Sequence, residues 1–202
     1  MLPDGCMDLL WTGDELLVSG PDTEPFDYVS SGGRMVGVRF DPGVAPTVFD
    51  CAAEDLRDSR VAFDNLVSTT VAGRWLDEVA AARMPGEAMV GLLVARSRSL
   101  ELPSWTAVLV ASLLDGEQVA DCARELALTE RTLHRRSLRH FGYGPKTLQR
   151  ILRMQAARGR LAAGGQAGDV VERCGYADYA HMYRDFVELT GRGPLTFMPP
   201  GD

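Results

Sequence analysis

Residues 119–141 and 167–190 follow one plan, and that repetition constrains the fold more than any other feature of the chain. In the first stretch Val119, Ala123 and Leu126 share one face of a short helix, and Leu128 follows a break. Thr129 is placed to cap a new helix with its hydroxyl on an orphan N–H. Within that helix Leu133 points inward, while Arg131, His134 and Arg135 point outward. In the second stretch Val170 and Val171 belong to a short helix, Gly175 supplies the turn and Tyr176 packs behind it. Asp178 is the expected N-cap of a helix through His181, Met182, Phe186 and Leu189. Tyr179, Ala180, His181, Tyr183 and Arg184 face outward near its start. Between the two units lies a helix from Pro145 to about Ala163, with proline at the first helical position, where its missing N–H costs nothing.

Charge follows the same division. Between Glu130 and Asp169 there are nine basic residues and no carboxylate: Arg131, Arg135, Arg136, Arg139, Lys146, Arg150, Arg153, Arg158 and Arg160. The net charge of −7 hides this asymmetry, because residues 1–115 hold 18 carboxylates against eight bases and residues 116–202 hold 10 against 13. Only the second half suits a polyanion. A supporting helix, a tight turn and a second helix with a free polar face are what reading a DNA major groove requires. Arginine can donate two hydrogen bonds to guanine O6 and N7, and histidine can donate to the same acceptors. The helix between the units spans roughly 27 Å at about 1.5 Å per residue, against about 34 Å between successive major grooves on one face. Lys146, near a helix start, reads as a phosphate contact. Arg150, Arg153, Arg158 and Arg160 read three ways: phosphate contacts, ordinary surface charges, or partners for the acidic N-terminal half.

The first fifty residues are punctuated like β structure: the short apolar run Met7–Trp11, then Leu16–Val18, then Val36–Phe40, which alternates large with small or polar residues, lie between turn signals at Pro3-Asp4-Gly5, Ser19-Gly20-Pro21-Asp22 and Asp41-Pro42-Gly43. About four short strands fit there, too few to close a barrel, so the expectation is a fragment of a sandwich or barrel, cut short at its start. From Ala52 the character becomes helical, with Trp75, Leu76, Val79 and Met84 in one segment and Val90, Leu93 and Val94 in a second. Ser104 is the expected N-cap of an apolar helix to about Leu114. The boundary falls near residues 96–103, giving a domain over 1–99 (β-rich to about 50, helical after) and one over 100–202. The fold class is α+β: a small mainly-β, cupin-like fragment, then helices, then an all-α domain with two helix-turn-helix units joined by a long helix.

Tyr176, Phe186, Phe141, Leu138, Trp75 and Trp105 read as core residues, and Trp11 as core rather than cavity lining. His181 reads either as an outward contact or as a histidine packed at the helix start. Cys6, Cys51, Cys122 and Cys174 lack ligand spacing and read as structural thiols. All three histidines lie in the basic half, and no P-loop, G-x-G-x-x-G or H-E-x-x-H occurs, so no enzyme, metal or cofactor is expected. With neither a signal-peptide pattern nor a membrane-length apolar run, the expected location is the cytoplasm.

From Val119 to Phe197 the chain resembles the DNA-binding domain of the AraC/XylS family of bacterial transcription regulators. Leu128-Thr129-Glu130-Arg131-Thr132-Leu133-His134-Arg135 carries the resemblance, with Phe141-Gly142-Tyr143-Gly144-Pro145-Lys146. Cys174-Gly175-Tyr176-Ala177-Asp178-Tyr179-Ala180-His181 follows, then Thr190-Gly191 and Gly193-Pro194. The start, Leu2 to Trp11, is similar to a sensor-like domain attached to one branch of that family, where further residues including a strand usually precede it. The resemblance implies base reading by Arg131, His134 and Arg135, and contacts to bases or phosphates by Tyr179, Ala180, His181, Tyr183 and Arg184. Ser137 stands where the family usually has a large apolar residue, and Leu138 is expected to take over its packing. Gly168 should weaken its helix by about 0.5–1 kcal/mol relative to alanine.

The expected function is therefore a sequence-specific regulator of transcription that binds double-stranded DNA, with an N-terminal module that forms a homodimer or senses a small-molecule effector. A second reading is an interaction protein that modulates a related regulator through open strand edges of its incomplete N-terminal domain. A zinc-cysteine repair module of the kind found beside some AraC-like domains is opposed by cysteines tens of residues apart.

Overall fold

The computed structural model describes residues 1–26 and 35–199. Its N-terminal part is built on a four-stranded antiparallel sheet in the order β3-β1-β2-β4, formed by β1 (Asp8–Trp11), β2 (Leu16–Ser19), β3 (Val36–Arg39) and β4 (Arg60–Ala62). A tight turn joins β1 to β2, with the Thr12 N–H donating to the Glu15 carbonyl at 3.1 Å. Leu9 and Val18 lie opposite each other in the register and are fully buried. At the β3 edge Arg39 donates twice to the buried Asp8 carboxylate, at 2.8 and 3.1 Å.

Helices α1 (Ala45–Phe49), α2 (Thr69–Ala81) and α3 (Pro85–Ser97) cover this sheet. The core runs as a chain of rings, Phe40 to Phe49 to Phe63 to Trp75, with successive centroids 5.2, 5.8 and 5.0 Å apart. The helical character expected from Ala52 is interrupted: 3-10 turns at Ala53–Leu56 and Phe63–Asn65 flank β4, which takes the free edge of β2. Three residues are too few for their alternation to show in a sequence, and only the pairing with Leu17–Ser19 makes them a strand.

Among the described residues after α3 there are no further strands, and six α-helices follow: α4 (Ser104–Leu114), α5 (Val119–Glu125), α6 (Glu130–Phe141), α7 (Pro145–Ala162), α8 (Ala167–Arg173) and α9 (Tyr179–Thr190), with a 3-10 turn at Pro194–Phe197 after them. Ser104 is the first residue inside α4 rather than its cap; that position belongs to Pro103, and no side chain bonds the helix start. Instead the Thr106 hydroxyl turns back to the Pro103 carbonyl at 2.7 Å. Leu133, Phe141, Leu148, Ile151, Met154, Leu161, Met182 and Phe186 are all buried to within 1% around α7. Each such side chain contributes about 1.5–3 kcal/mol of apolar burial. The α+β class and the small sheet followed by helices hold as expected.

The sheet-based part and the helical part touch directly. α1 and the Ala53–Leu56 turn pack on α6, and Gln155 of α7 donates to the Pro3 carbonyl.

Candidate nucleic-acid interface

Helix α6 begins where Thr129 caps it, its hydroxyl accepting from the Thr132 N–H at 3.2 Å. The turn before it closes with Ala127 in the left-handed region at φ 52° and the Leu128 N–H on the Ala123 carbonyl at 2.8 Å. The second unit repeats this geometry with Gly175 at φ 68° and the Tyr176 N–H on the Val171 carbonyl at 3.0 Å. Glycine bears that conformation without penalty, whereas an alanine there crowds its Cβ against the backbone. Asp178 caps α9, accepting from the His181 N–H at 2.7 Å. The duplication read from sequence therefore reaches down to single hydrogen bonds.

The inward face of α6 is Leu133, Ser137 and Phe141. Ser137 is fully buried and donates to the Tyr143 carbonyl at 2.8 Å. Leu138 is only half-buried, so it does not replace a large side chain at 137. The space is closed by drawing in the backbone after α6, where Phe141 and Tyr143 are both buried. On the opposite face Arg131, His134, Arg135, Arg136 and Arg139 are exposed, and Arg131, Arg135 and Arg139 recur every fourth residue along one stripe. None of these arginines has a carboxylate partner within 4.0 Å among the described residues, nor do Lys146 and Arg184.

A cleft between the starts of α6 and α7 brings Arg131, His134 and Lys146 together, with Pro145 and Thr147 on its other wall. Gly144 caps α7 without a side-chain bond, so the first N–H groups of that helix remain open toward an anion. On α9, Tyr179, Ala180, Tyr183 and Arg184 are exposed, and the two tyrosine rings lie 6.3 Å apart. His181 is turned away from them. Its ring meets Tyr176 edge-on at 5.2 Å, and its Nε2 lies 4.0 Å from Asp185.

Two of the linker arginines have a different task from the outward ones. Arg150 donates from Nε to Asp185 at 3.0 Å and from both terminal nitrogens to Glu188 at 3.1 and 2.7 Å. Arg153 donates to Asp185 at 3.2 Å and lies over the Tyr176 ring at 4.5 Å. Their partners are on α9 and not in the acidic N-terminal half. These pairs tie the second helix-turn-helix unit to α7. They also push the Arg150 guanidinium further above its usual range and hold the Glu188 carboxyl below its own. Asp185 was missed in the sequence because an acid on a mostly polar helix carries no sign of burial.

Burial lifts all four thiols above their usual range, Cys6 to about 12 and Cys51 to about 11. A thiol held protonated is a poor nucleophile and metal ligand. No cluster of three or more His, Cys, Asp or Glu side chains among the described residues is placed to hold a metal ion. No helix among them is long and apolar enough to cross a membrane.

Residues 122–198 match the family of helix-turn-helix domains, and residues 1–62 match a domain of unknown function, DUF6597. No curated protein matches the chain. A helix-turn-helix domain of AraC type at residues 122–198 behind a DUF6597 domain is an arrangement consistent with a DNA-binding transcription regulator of the AraC family.

Proposed function

We propose that this regulator reads two successive major-groove segments, one with α6 and one with α9. The observation that supports this is the pairing of two capped helices with free outward faces, both anchored on the single rod α7. Arg131, His134 and Arg135 read bases in the first segment, with Lys146 and the open start of α7 on a flanking phosphate. Tyr179, Ala180, Tyr183 and Arg184 contact the second, and His181 supports their helix from behind. A rod of roughly 27 Å meets grooves about 34 Å apart only if the DNA bends toward it or the heads lie slightly offset.

The test is selection from random duplex DNA at about 150 mM salt, a concentration at which nonspecific phosphate binding is weakened. The expected product is a motif of two half-sites one turn apart. Arg131→Ala or Arg135→Ala should relax base preference in one half-site and cost about 1–3 kcal/mol there. Wild-type affinity and specificity in both variants would remove α6 from the reading role.

A homodimer is supported by α3. Its exposed face runs Glu87, Val90, Gly91, Val94, Ala95, Arg98. Two copies set antiparallel about a point between residues 92 and 93 place each Glu87 opposite Arg98, each Val90 opposite Ala95 and each Gly91 opposite Val94. Acid meets base and large meets small, as a twofold interface requires. Sedimentation should show a dimer that Val94→Glu dissociates. A small-molecule effector would enter the cleft of about 280 Å³ between β2, β4 and α2, lined by Leu16, Phe63 and Leu76 with Glu15, Asp64 and Thr69 on its polar side.

A further inference from the structure

We propose that the N-terminal domain acts as a positioning element for the first reading helix, with Gly43 and Arg57 holding the C-terminal turn of α6; this rests on the reading role proposed for α6. The last carbonyls of a helix have no partner within the helix, and something else must satisfy them. At the end of α6, Gly142 adopts φ 81° and its N–H returns to the Leu138 carbonyl at 2.9 Å. Its own carbonyl accepts from Arg57 at 3.2 Å, across 85 residues of chain. A Cβ at Gly142 would lie 2.5 Å from Pro21 and 3.2 Å from the Ala53 carbonyl, so the N-terminal domain closes directly over this turn.

Two residues earlier the contact is as close. His140 Nδ1 lies 3.0 Å from the Gly43 carbonyl, which makes Nδ1 the protonated nitrogen, because a carbonyl can only accept. Trp105 meets the His140 ring edge-on at 5.1 Å and the Phe141 ring at 6.0 Å. Gly43 sits at φ +80°, and a Cβ there would come within 2.8 Å of Thr106 and 2.9 Å of Phe141. Both contacts join a side chain to a backbone carbonyl at a position where only glycine leaves room. They fix the pose of α6 rather than merely covering it.

The consequence concerns the other end of the helix. Arg131 and Arg135 stand on the first turns, and a reading side chain must be held within about 0.5 Å and 10–20° of its productive geometry. The supporting helix α5 and the rod α7 hold the buried face of α6, and the N-terminal domain holds its far end. A conformational change in the N-terminal domain therefore reaches the first reading head without passing through a flexible linker.

The experiment uses the full chain carrying Arg57→Ala with His140→Ala, neither of which is a reading residue, because Gly43→Ala would distort the interface itself. Duplexes carry the selected motif with one half-site or the other scrambled. Each lost hydrogen bond is worth about twofold to tenfold, so the half-site read by α6 should bind about tenfold more weakly and the other as in wild type. Without DNA, amide exchange at residues 139–142 should speed up while α9 is unchanged. With Arg57 left in place, His140→Gln, which keeps a donor toward Gly43, should leave both readouts near wild type. Equal weakening at the two half-sites, or wild-type exchange at 139–142, would overturn the proposal. If the wild-type chain selects no half-sites at all, the reading role of α6 fails instead, and the exchange result still decides whether the N-terminal domain holds this turn.

Discussion

Asp185 is the residue on which the second helix-turn-helix unit hangs, and its removal gives a quantity that can be worked out in advance. Its side chain is 6% exposed and accepts from Arg150 at 3.0 Å and from Arg153 at 3.2 Å. Breaking a buried ion pair by deleting one partner costs about 3–5 kcal/mol, because a charge is left without compensation. Here the penalty is smaller for two structural reasons. Arg150 keeps its two bonds to Glu188, and Arg153 keeps the Tyr176 ring face. Both guanidinium groups are also partly exposed, at 33% and 21%, so water can replace part of what is lost.

The expected cost of Asp185→Ala is therefore about 2 kcal/mol. For a chain of this length that lowers the melting temperature by about 4–8 °C. Glu188→Ala is the control, since that carboxylate is largely exposed and such pairs contribute about 0.5 kcal/mol or less. Circular dichroism melts would give the first number, and binding to duplexes with one half-site scrambled would give the second. The α9 half-site should weaken while the α6 half-site does not. A melting temperature within about 1 °C of wild type, or equal losses for Asp185→Ala and Glu188→Ala, would refute the claim that a buried clamp fixes α9 to α7.

Ala127→Gly should raise stability by about 0.5–1 kcal/mol in denaturant melts, because relief of the left-handed strain outweighs the added chain entropy. Gly168→Ala should do the same by about 0.5–1 kcal/mol, since nothing lies within 4 Å of the added Cβ on α8. His140 gives a pH signature: burial, then the nearby Arg139 and Arg136, hold its imidazole below its usual range, with the Gly43 carbonyl acting in the opposite sense. Its stabilising contribution is thus complete above the unfolded value near 6.5 and declines as pH falls through the folded value. His140→Gln should flatten melting temperature against pH over that interval.

What was legible in the sequence was local. Thr129 and Asp178 announce their caps because the bonds they make reach only three residues on, and Pro145 announces the start of α7 because its own ring forbids any other place in a helix. The first three strands lie between turn residues and could be read one by one. β4 could not, since Arg60–Ala62 is a strand only through Leu17–Ser19, more than forty residues away. Ser104 misled for a related reason: a capping residue type was present, but Pro103 had already taken the cap position, and Thr106 supplied the local bond.

The arginines show why residue type and spacing stop short of assigning a site. Arg135 and Arg150 both belong to the same basic run, and in sequence nothing separates them. What separates them is a carboxylate 35 residues further on, which reaches Arg150 and not Arg135 because α9 packs on α7 while α6 turns its stripe outward. Arg150 and Arg153 both donate to the buried Asp185 carboxylate, so their charge is committed there and should contribute little to binding a polyanion. The outward arginines have no such commitment, and their charge remains available at the surface. Counting cations in the block thus overstates its capacity for phosphate, and the salt dependence of DNA binding should reflect Arg131, Arg135, Arg136, Arg139 and Lys146 far more than the two linker arginines. Were Arg150→Ala to reduce the slope of log affinity against log salt as much as Arg135→Ala does, the division between clamp and reading face would be wrong.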